Sequence, residues 1–445
     1  MLKNKVMGCK GASLALAGMM VLGAAGAQAQ GLGNSPYSRI GLGDFNANTG
    51  GVRQMGMGGV GLAAPNNVNV NELNPALLYY TGRTTFEAGF NGQYKTVKNA
   101  TASNRSGNGN LGYLALSVPL STKWGAAVGL KPLSTVDYES NILQDVTGTS
   151  AATVLKQYKG TGAISEAYLG QGFRITKALT LGFTASYVFG TVDETTGTTV
   201  IINNSMAALE RSVERQHVRY SDFGFRAGAH YRQKLGKALN MNLGGVYSFG
   251  YNLNGQQTNT QEREDATSGA QLIPATTLSN TRGSSYVPAL TQVGVSFDND
   301  KNWSLNLDVA QQQWSKFRSI NATGPALANT LRFGLGGEFT PDPGSVEHYF
   351  QRVSYRGGIN LAQMPYQPSG KTLYDRSVSW GFGFPLPTAT ALDATTISLA
   401  FTYGMRGNTD VLNSTLGTSN VQESYIRGQL GITLNNRWFI KRRLQ

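Results

Sequence analysis

From Thr84 onward, apolar and polar side chains alternate with a period of two, and this rhythm restricts the possible folds more than any other feature of the chain. About fourteen strand-like runs can be marked between turn signals: 84–98, 109–120, 124–138, 163–175, 178–192, 217–233, 239–253, 284–298, 301–317, 327–340, 353–366, 375–384, 394–406 and 422–434. In the first, Phe86, Ala88, Phe90 and Tyr94 alternate with Glu87, Asn91, Gln93 and Lys95; in the tenth, Leu331, Phe333, Leu335 and Phe339 oppose Arg332 and Glu338. Such strands need one apolar and one polar environment, which a closed sheet with lipid outside and water within supplies. The alternation averages to a mean hydropathy of −0.23. No run of about 18 apolar residues follows the N-terminus, so a transmembrane helix is excluded on length. The expected fold is all-β: a transmembrane antiparallel β-barrel of about 14 strands, spanning 83–440.

Connection lengths sort by end. The segments 139–162, 193–216 and 254–283 read as long polar loops, whereas 121–123, 176–177, 234–238 and 299–300 read as turns. Outer-membrane barrels show this asymmetry, with long loops outside and short turns in the periplasm. At 341–352 and 385–393 the short class lengthens and the rule weakens.

Met1–Ala29 has the form of a cleaved signal peptide: Lys3, Lys5 and Lys10 precede an apolar run from Ala12 to Ala25, and Ala27-Gln28-Ala29 fits the cleavage rule. Its removal discards Cys9, the one cysteine, and with it disulfide or thiolate chemistry. The formal charge of +13 falls to +10 without those three lysines. The basic residues are spread thinly and carry no recognition-helix or RNA-binding signature, so nucleic acid is not an expected partner.

Between the signal and the first strand, 30–82 is rich in Gly, Asn and Pro. Gly56, Gly58, Gly59 and Gly61 fall within six positions, which lets the backbone bend and pack closely in a confined space. Asn74-Pro75-Ala76 is expected to form a fixed elbow outside any helix. The string Gly56 to Gly61 matches G-x-G-x-x-G literally, but without a strand before it and a helix after it the dinucleotide reading fails. A polar, non-repetitive segment ahead of a barrel reads as a plug.

Met57, Gly58, Gly59 and Ala63, followed by Asn74-Pro75-Ala76 just before the first strand, resemble the N-terminal hatch of the FadL/TodX family of outer-membrane channels for hydrophobic compounds. A second stretch, Pro288 to Phe317, resembles the paired strands of FadL relatives: Asn302-Trp303-Ser304-Leu305, then Asp308, then Trp314-Ser315-Lys316-Phe317 after a tight hairpin at Asp298-Asn299-Asp300. Trp303 and Trp314, near the ends of one returning strand, and Trp438 near the C-terminus, suit interfacial aromatic belts. A short basic tail, 441–445, follows.

Catalytic constellations are missing. There is no G-x-S-x-G elbow, and His217, His230 and His348 lack a second ligand at metal spacing. No enzyme, metal or cofactor is expected. Glu87, Glu166, Asp308 and Glu338 lie on the polar faces, where they are expected to neutralise arginines. By strand parity, Lys95, Arg226, Arg232, Arg332, Arg356 and Arg427 face the lumen and are candidates to hold an acidic ligand head group. The resemblance implies passive transport of long-chain fatty acids or similar hydrophobic molecules through a plugged barrel in the outer membrane, with lipid and an apolar small molecule as partners. The alternative follows the PorV-type members, which resemble the family in hatch and strand count but serve protein secretion; a secretion-system or other envelope protein would then be the partner.

Overall fold

The computed structural model describes residues 34–45, 50–145, 152–202, 210–236, 238–320, 326–387, 394–413 and 418–436. The signal peptide read over 1–29, Trp438 and the basic tail 441–445 lie outside the described residues.

Fourteen antiparallel strands form the barrel: β1 (Thr84–Lys98), β2 (Ser103–Ser121), β3 (Trp124–Asp145), β4 (Ala152–Arg174), β5 (Leu179–Ile202), β6 (Glu210–Lys234), β7 (Asn240–Ser248 and Tyr251–Asp265), β8 (Gln271–Val287 and Leu290–Asp298), β9 (Trp303–Gln312), β10 (Thr330–Phe339), β11 (Ser354–Gln363), β12 (Tyr374–Leu386), β13 (Ala394–Gly407) and β14 (Gln422–Asn436). Closure is direct, because β14 pairs with β1 from Asn436↔Thr84 to Gln422↔Lys98. Closure removes the two end edges an open sheet would have, so the backbone groups of the paired strands are satisfied within the wall. Parity follows the sequence pattern: Phe90, Tyr94, Leu331, Phe333 and Ile426 are exposed on the outside, while Glu87, Gln93, Lys95 and Gln429 are buried within.

The long loops expected at 139–162, 193–216 and 254–283 are instead mostly strand. β3 to β8 continue to Asp145, Ala152, Ile202, Glu210, Asp265 and Gln271 and form a tall extension beyond the apolar band. Above the band the outer face meets water and the buried inner face mixes polar side chains, Thr199, Gln257, Glu262 and Glu264, with Ile201 and Val213, so the apolar-polar contrast that marks a strand fades even though the ladder continues.

Among the described residues, two interruptions of the wall bear on its interior. β2 pairs with β3 only over Leu114–Ser121, opposite Trp124–Leu130. Above that, β2 stays with β1 and β3 with β4, while the two-residue strand Asp44–Phe45 of the leader pairs with Ser134 and Thr135 from inside. Between β6 and β7 the ladder stops at Arg226↔Ser248 and resumes at Tyr220↔Gly255. β8 breaks at the same height at Pro288, which has no N–H to give the ladder.

Trp314 departs from the belt expectation. β9 ends at Gln312 and the chain turns into one 3-10 turn, Trp314–Lys316, so strand parity no longer aims the indole outward. Trp314 is buried against Phe45 of the leader, ring centroids 5.3 Å apart. Trp303 remains on the outside, 38% exposed.

Candidate functional site

The segment from Gly51 to Leu78 is almost wholly buried inside the barrel. A single helical turn, Val52–Met55, leads into the glycine run. Gly58 has φ +76° and Gly61 φ +121°, conformations that side-chain-bearing residues rarely adopt. Gly56 is an ordinary right-handed residue (φ −63°). Its role is closeness, since a Cβ built there would lie 3.3 Å from the Gly381 Cα.

Asn74 is the elbow expected from sequence, with extended φ/ψ of −129° and 113°, but Pro75 and Ala76 open a six-residue 3-10 helix, Pro75–Tyr80. Proline suits a first helical position because its missing donor would be unsatisfied there anyway. The Asn74 side chain accepts from the Ala76 N–H at 3.0 Å and donates to the Leu62 carbonyl and the Ala229 carbonyl, each at 3.1 Å. One amide thus ties together the cap, the glycine turn and β6.

The wall grips the hatch through carboxylates. Asp308 Oδ2 accepts the Gly61 and Leu62 N–H groups at 2.8 and 3.0 Å. Glu87 accepts the Val70 N–H at 2.9 Å and the Tyr113 hydroxyl at 2.7 Å. These two serve hatch amides and a phenol, whereas Glu338 binds Arg53 and Arg356 and Glu166 binds Arg226, as expected of lumen carboxylates.

The six lumen cations are distributed differently. Arg226 and Arg427 line the central cavity. Arg226 reaches Glu166 at 3.3 Å and the Glu72 carbonyl at 3.2 Å, and Arg427 donates to Gln93 at 2.8 and 2.9 Å. Arg332 donates to the Gly58 and Gly59 carbonyls, Arg356 to Glu338, and Lys95 pairs with Glu423 at 3.4 Å. Arg232 pairs with Asp298 and Asp300 at the turn end. Buried His230 packs edge-on against Tyr80.

The central cavity, about 120 Å³, lies between the hatch residues Val52 and Met55, the leader residue Phe45, and Tyr113, Leu133 and Phe225 of the wall. Its polar side carries Lys131 and Glu72, 3.6 Å apart. The Tyr168 hydroxyl, just behind, donates to Glu72 at 2.7 Å. None of Glu72, Lys131, Tyr113 and Tyr168 is picked out by the sequence pattern. The signals for the first two were the single glutamate of the segment 30–82 and a lysine inside the apolar run at 126–133. Asn110, Gly112, Lys131 and Leu133 place the cavity against the opening between β2 and β3. Above it, Leu42 of the leader packs with Val136, Ile164, Val188, Tyr220 and Leu253 and fills the mouth of the tall side.

The family model described as BamG matches residues 13–445. No curated protein sequence matches the chain. Among solved structures, a Pseudomonas aeruginosa FadL homologue superposes with a TM-score of 0.59 at 13% identity, covering 88% of this chain and 99% of that one. The Pseudomonas putida toluene transporter TodX gives 0.53 at 16% over 88% and 99%, and the monoaromatic hydrocarbon channel CymD 0.52 at 17% over 89% and 100%. Identities this low show a shared plugged-barrel fold.

Proposed function

The chain belongs to the BamG family, and from that premise and the barrel's interior we propose that it lets small hydrophobic molecules cross the outer membrane by a sideways route. The observation that carries this reading is an amphipathic cavity beside the hatch whose lining includes Asn110, Gly112, Lys131 and Leu133, where β2 parts from β3. A ligand moving straight down would have to displace a hatch held by Asp308, Glu87, Glu338 and Arg332. A ligand moving sideways past Gly112 and Leu133 leaves those bonds intact.

Size narrows the ligand class. An apolar protein cavity of about 150 Å³ holds one benzene, and this one is about 120 Å³. A one-ring molecule or a short chain fits, whereas a long acyl chain requires the cavity to widen. The channels of like fold named for toluene and monoaromatic hydrocarbons agree with that size class. Residues 30–82 act as the hatch and 83–440 as the barrel.

The test is uptake of a one-ring hydrocarbon into proteoliposomes. Gly112→Trp should fill the opening and abolish uptake while the barrel stays folded; unchanged uptake would refute the sideways route.

A second reading, an accessory barrel for an exported or envelope protein, is favoured by the tall β3–β8 extension, whose outer strand Gln271–Ser284 has no ladder partner on its β9 side among the described residues. Co-purification of a protein partner, with no retained apolar ligand, would decide for it.

A further inference from the structure

On the outer surface of the tall side, independent of whatever crosses the lumen, Thr191 of β5, Arg219 of β6, Gln256 of β7 and Arg282 of β8 stand in direct register. All four are exposed. Neighbouring strands are about 4.8 Å apart, so the two arginines sit roughly 10 Å from each other. The same strands turn Val192, Val218, Tyr220 and Leu253 inward to the packed core, which fixes the arginine row to the outside.

Two residues toward the turn end, the surface changes character. Tyr187 stacks with Phe189 at 5.6 Å and meets Phe223 at 5.3 Å, and these rings are 42%, 37% and 58% exposed. They end the apolar band on these strands, as aromatic residues do at a membrane–water interface. The arginine row lies about 6.6 Å beyond Phe189, the level of lipid head groups.

Charge pairing separates these arginines from those nearby. Arg211 and Arg215, further toward the loop end, are engaged by Glu262 and Glu264. Among the described residues, neither Arg219 nor Arg282 has a carboxylate partner. Beside them, Asp193 Oδ1 lies 2.6 Å from His217 Nδ1. Tyr187, Phe189, His217, Arg219, Ser221, Asn254 and Arg282 frame a concavity of about 900 Å³. That is more room than a single phosphodiester head group needs, and its hydroxyl and amide groups suit sugar hydroxyls.

We propose that this concavity binds the phosphorylated disaccharide head group of an outer-leaflet glycolipid of the lipid A type. Arg219 and Arg282 take its phosphate, Thr191, Ser221, Asn254 and Gln256 its sugar, and Tyr187, Phe189 and Phe223 the first segments of its acyl chains. Charge-assisted contacts of a guanidinium with phosphate are strong and geometrically selective.

The full-length barrel is placed in phosphatidylcholine nanodiscs doped with lipid A, dephosphorylated lipid A or phosphatidylglycerol, and bound lipid is quantified by native mass spectrometry. Arg219→Gln with Arg282→Gln should weaken lipid A retention by roughly tenfold or more. Arg105→Gln, an exposed arginine elsewhere, should leave it unchanged, and heat-modifiable migration on gels reports that each variant is folded. Dephosphorylated lipid A should bind the wild type no better than lipid A binds the double variant. Equal retention by wild type and double variant, or phosphatidylglycerol bound as well as lipid A, overturns the proposal.

Discussion

Asp308, on β9, accepts the Gly61 N–H of the hatch at 2.8 Å. Those two residues belong to the two sequence stretches that resemble FadL relatives, separated by more than two hundred positions and joined here by one carboxylate. The same oxygen takes the Leu62 N–H, so the glycine turn is positioned by the wall as well as by its own dihedrals.

Asp308→Ala should therefore loosen the hatch. It leaves two buried amides without an acceptor, each costing about 1–3 kcal/mol, whereas Asp308→Asn keeps an oxygen and should cost less. Hydrogen exchange across residues 58–64 is the measurement, with faster exchange in the alanine variant and little change at strand amides. Equal exchange in all three proteins would show that the carboxylate is dispensable.

Glu338 carries two guanidiniums, Arg53 of the hatch at 3.0 Å and Arg356 of β11 at 2.6 Å, and both arginine side chains are 3% exposed. Glu338→Ala strands two buried charges, and breaking such a pair costs about 3–5 kcal/mol; at 16% exposure of the Glu338 side chain, the lower end applies. The expected result is a folded barrel with higher ion conductance in planar bilayers, because the hatch swings away from β10. Wild-type conductance would mean the remaining anchors suffice.

A pair of wall glycines gives an internal control. A Cβ on Gly336 would collide with the Met57 backbone, but nothing lies within 4 Å of one on Gly357, in the adjacent row of the neighbouring strand. Gly336→Ala should destabilise by about 1–3 kcal/mol through overpacking and Gly357→Ala hardly at all. Thermal unfolding of the two variants side by side measures the difference.

Much of this architecture is legible in the sequence because lipid and lumen impose opposite demands on alternate residues. The parity of Phe90 against Glu87 and the hairpin at Asp298–Asp300 follow from that local rule, and Asp300 is the one described non-glycine residue with positive φ (59°). The tall extension was hidden because its buried inner face carries polar residues such as Thr199, Gln257 and Glu262, which blurs the contrast with the wet outer face. Trp314 was misplaced because a strand end cancels parity. The partners of the lumen cations are equally illegible: Lys95 meets Glu423 and Arg332 meets hatch carbonyls through the closure of the barrel and the path of the plug, which no local pattern encodes. The cavity polar groups Glu72 and Lys131 come from hatch and wall and become a pair only once the two are assembled.

The most direct test is to lock the hatch and ask whether transport survives. A Cβ on Gly431 of β14 would lie 3.0 Å from the Val52 Cβ, and its nearest neighbours all belong to the Val52 side chain, so the pair comes near the roughly 3.5–4.5 Å of a disulfide. Val52→Cys with Gly431→Cys, in a chain whose one native cysteine is Cys9, should therefore join hatch to wall after a small shift. A sideways route past Gly112 predicts equal uptake of a one-ring hydrocarbon in the oxidised and reduced forms. Uptake that vanishes on oxidation and returns on reduction would show that the hatch itself must move.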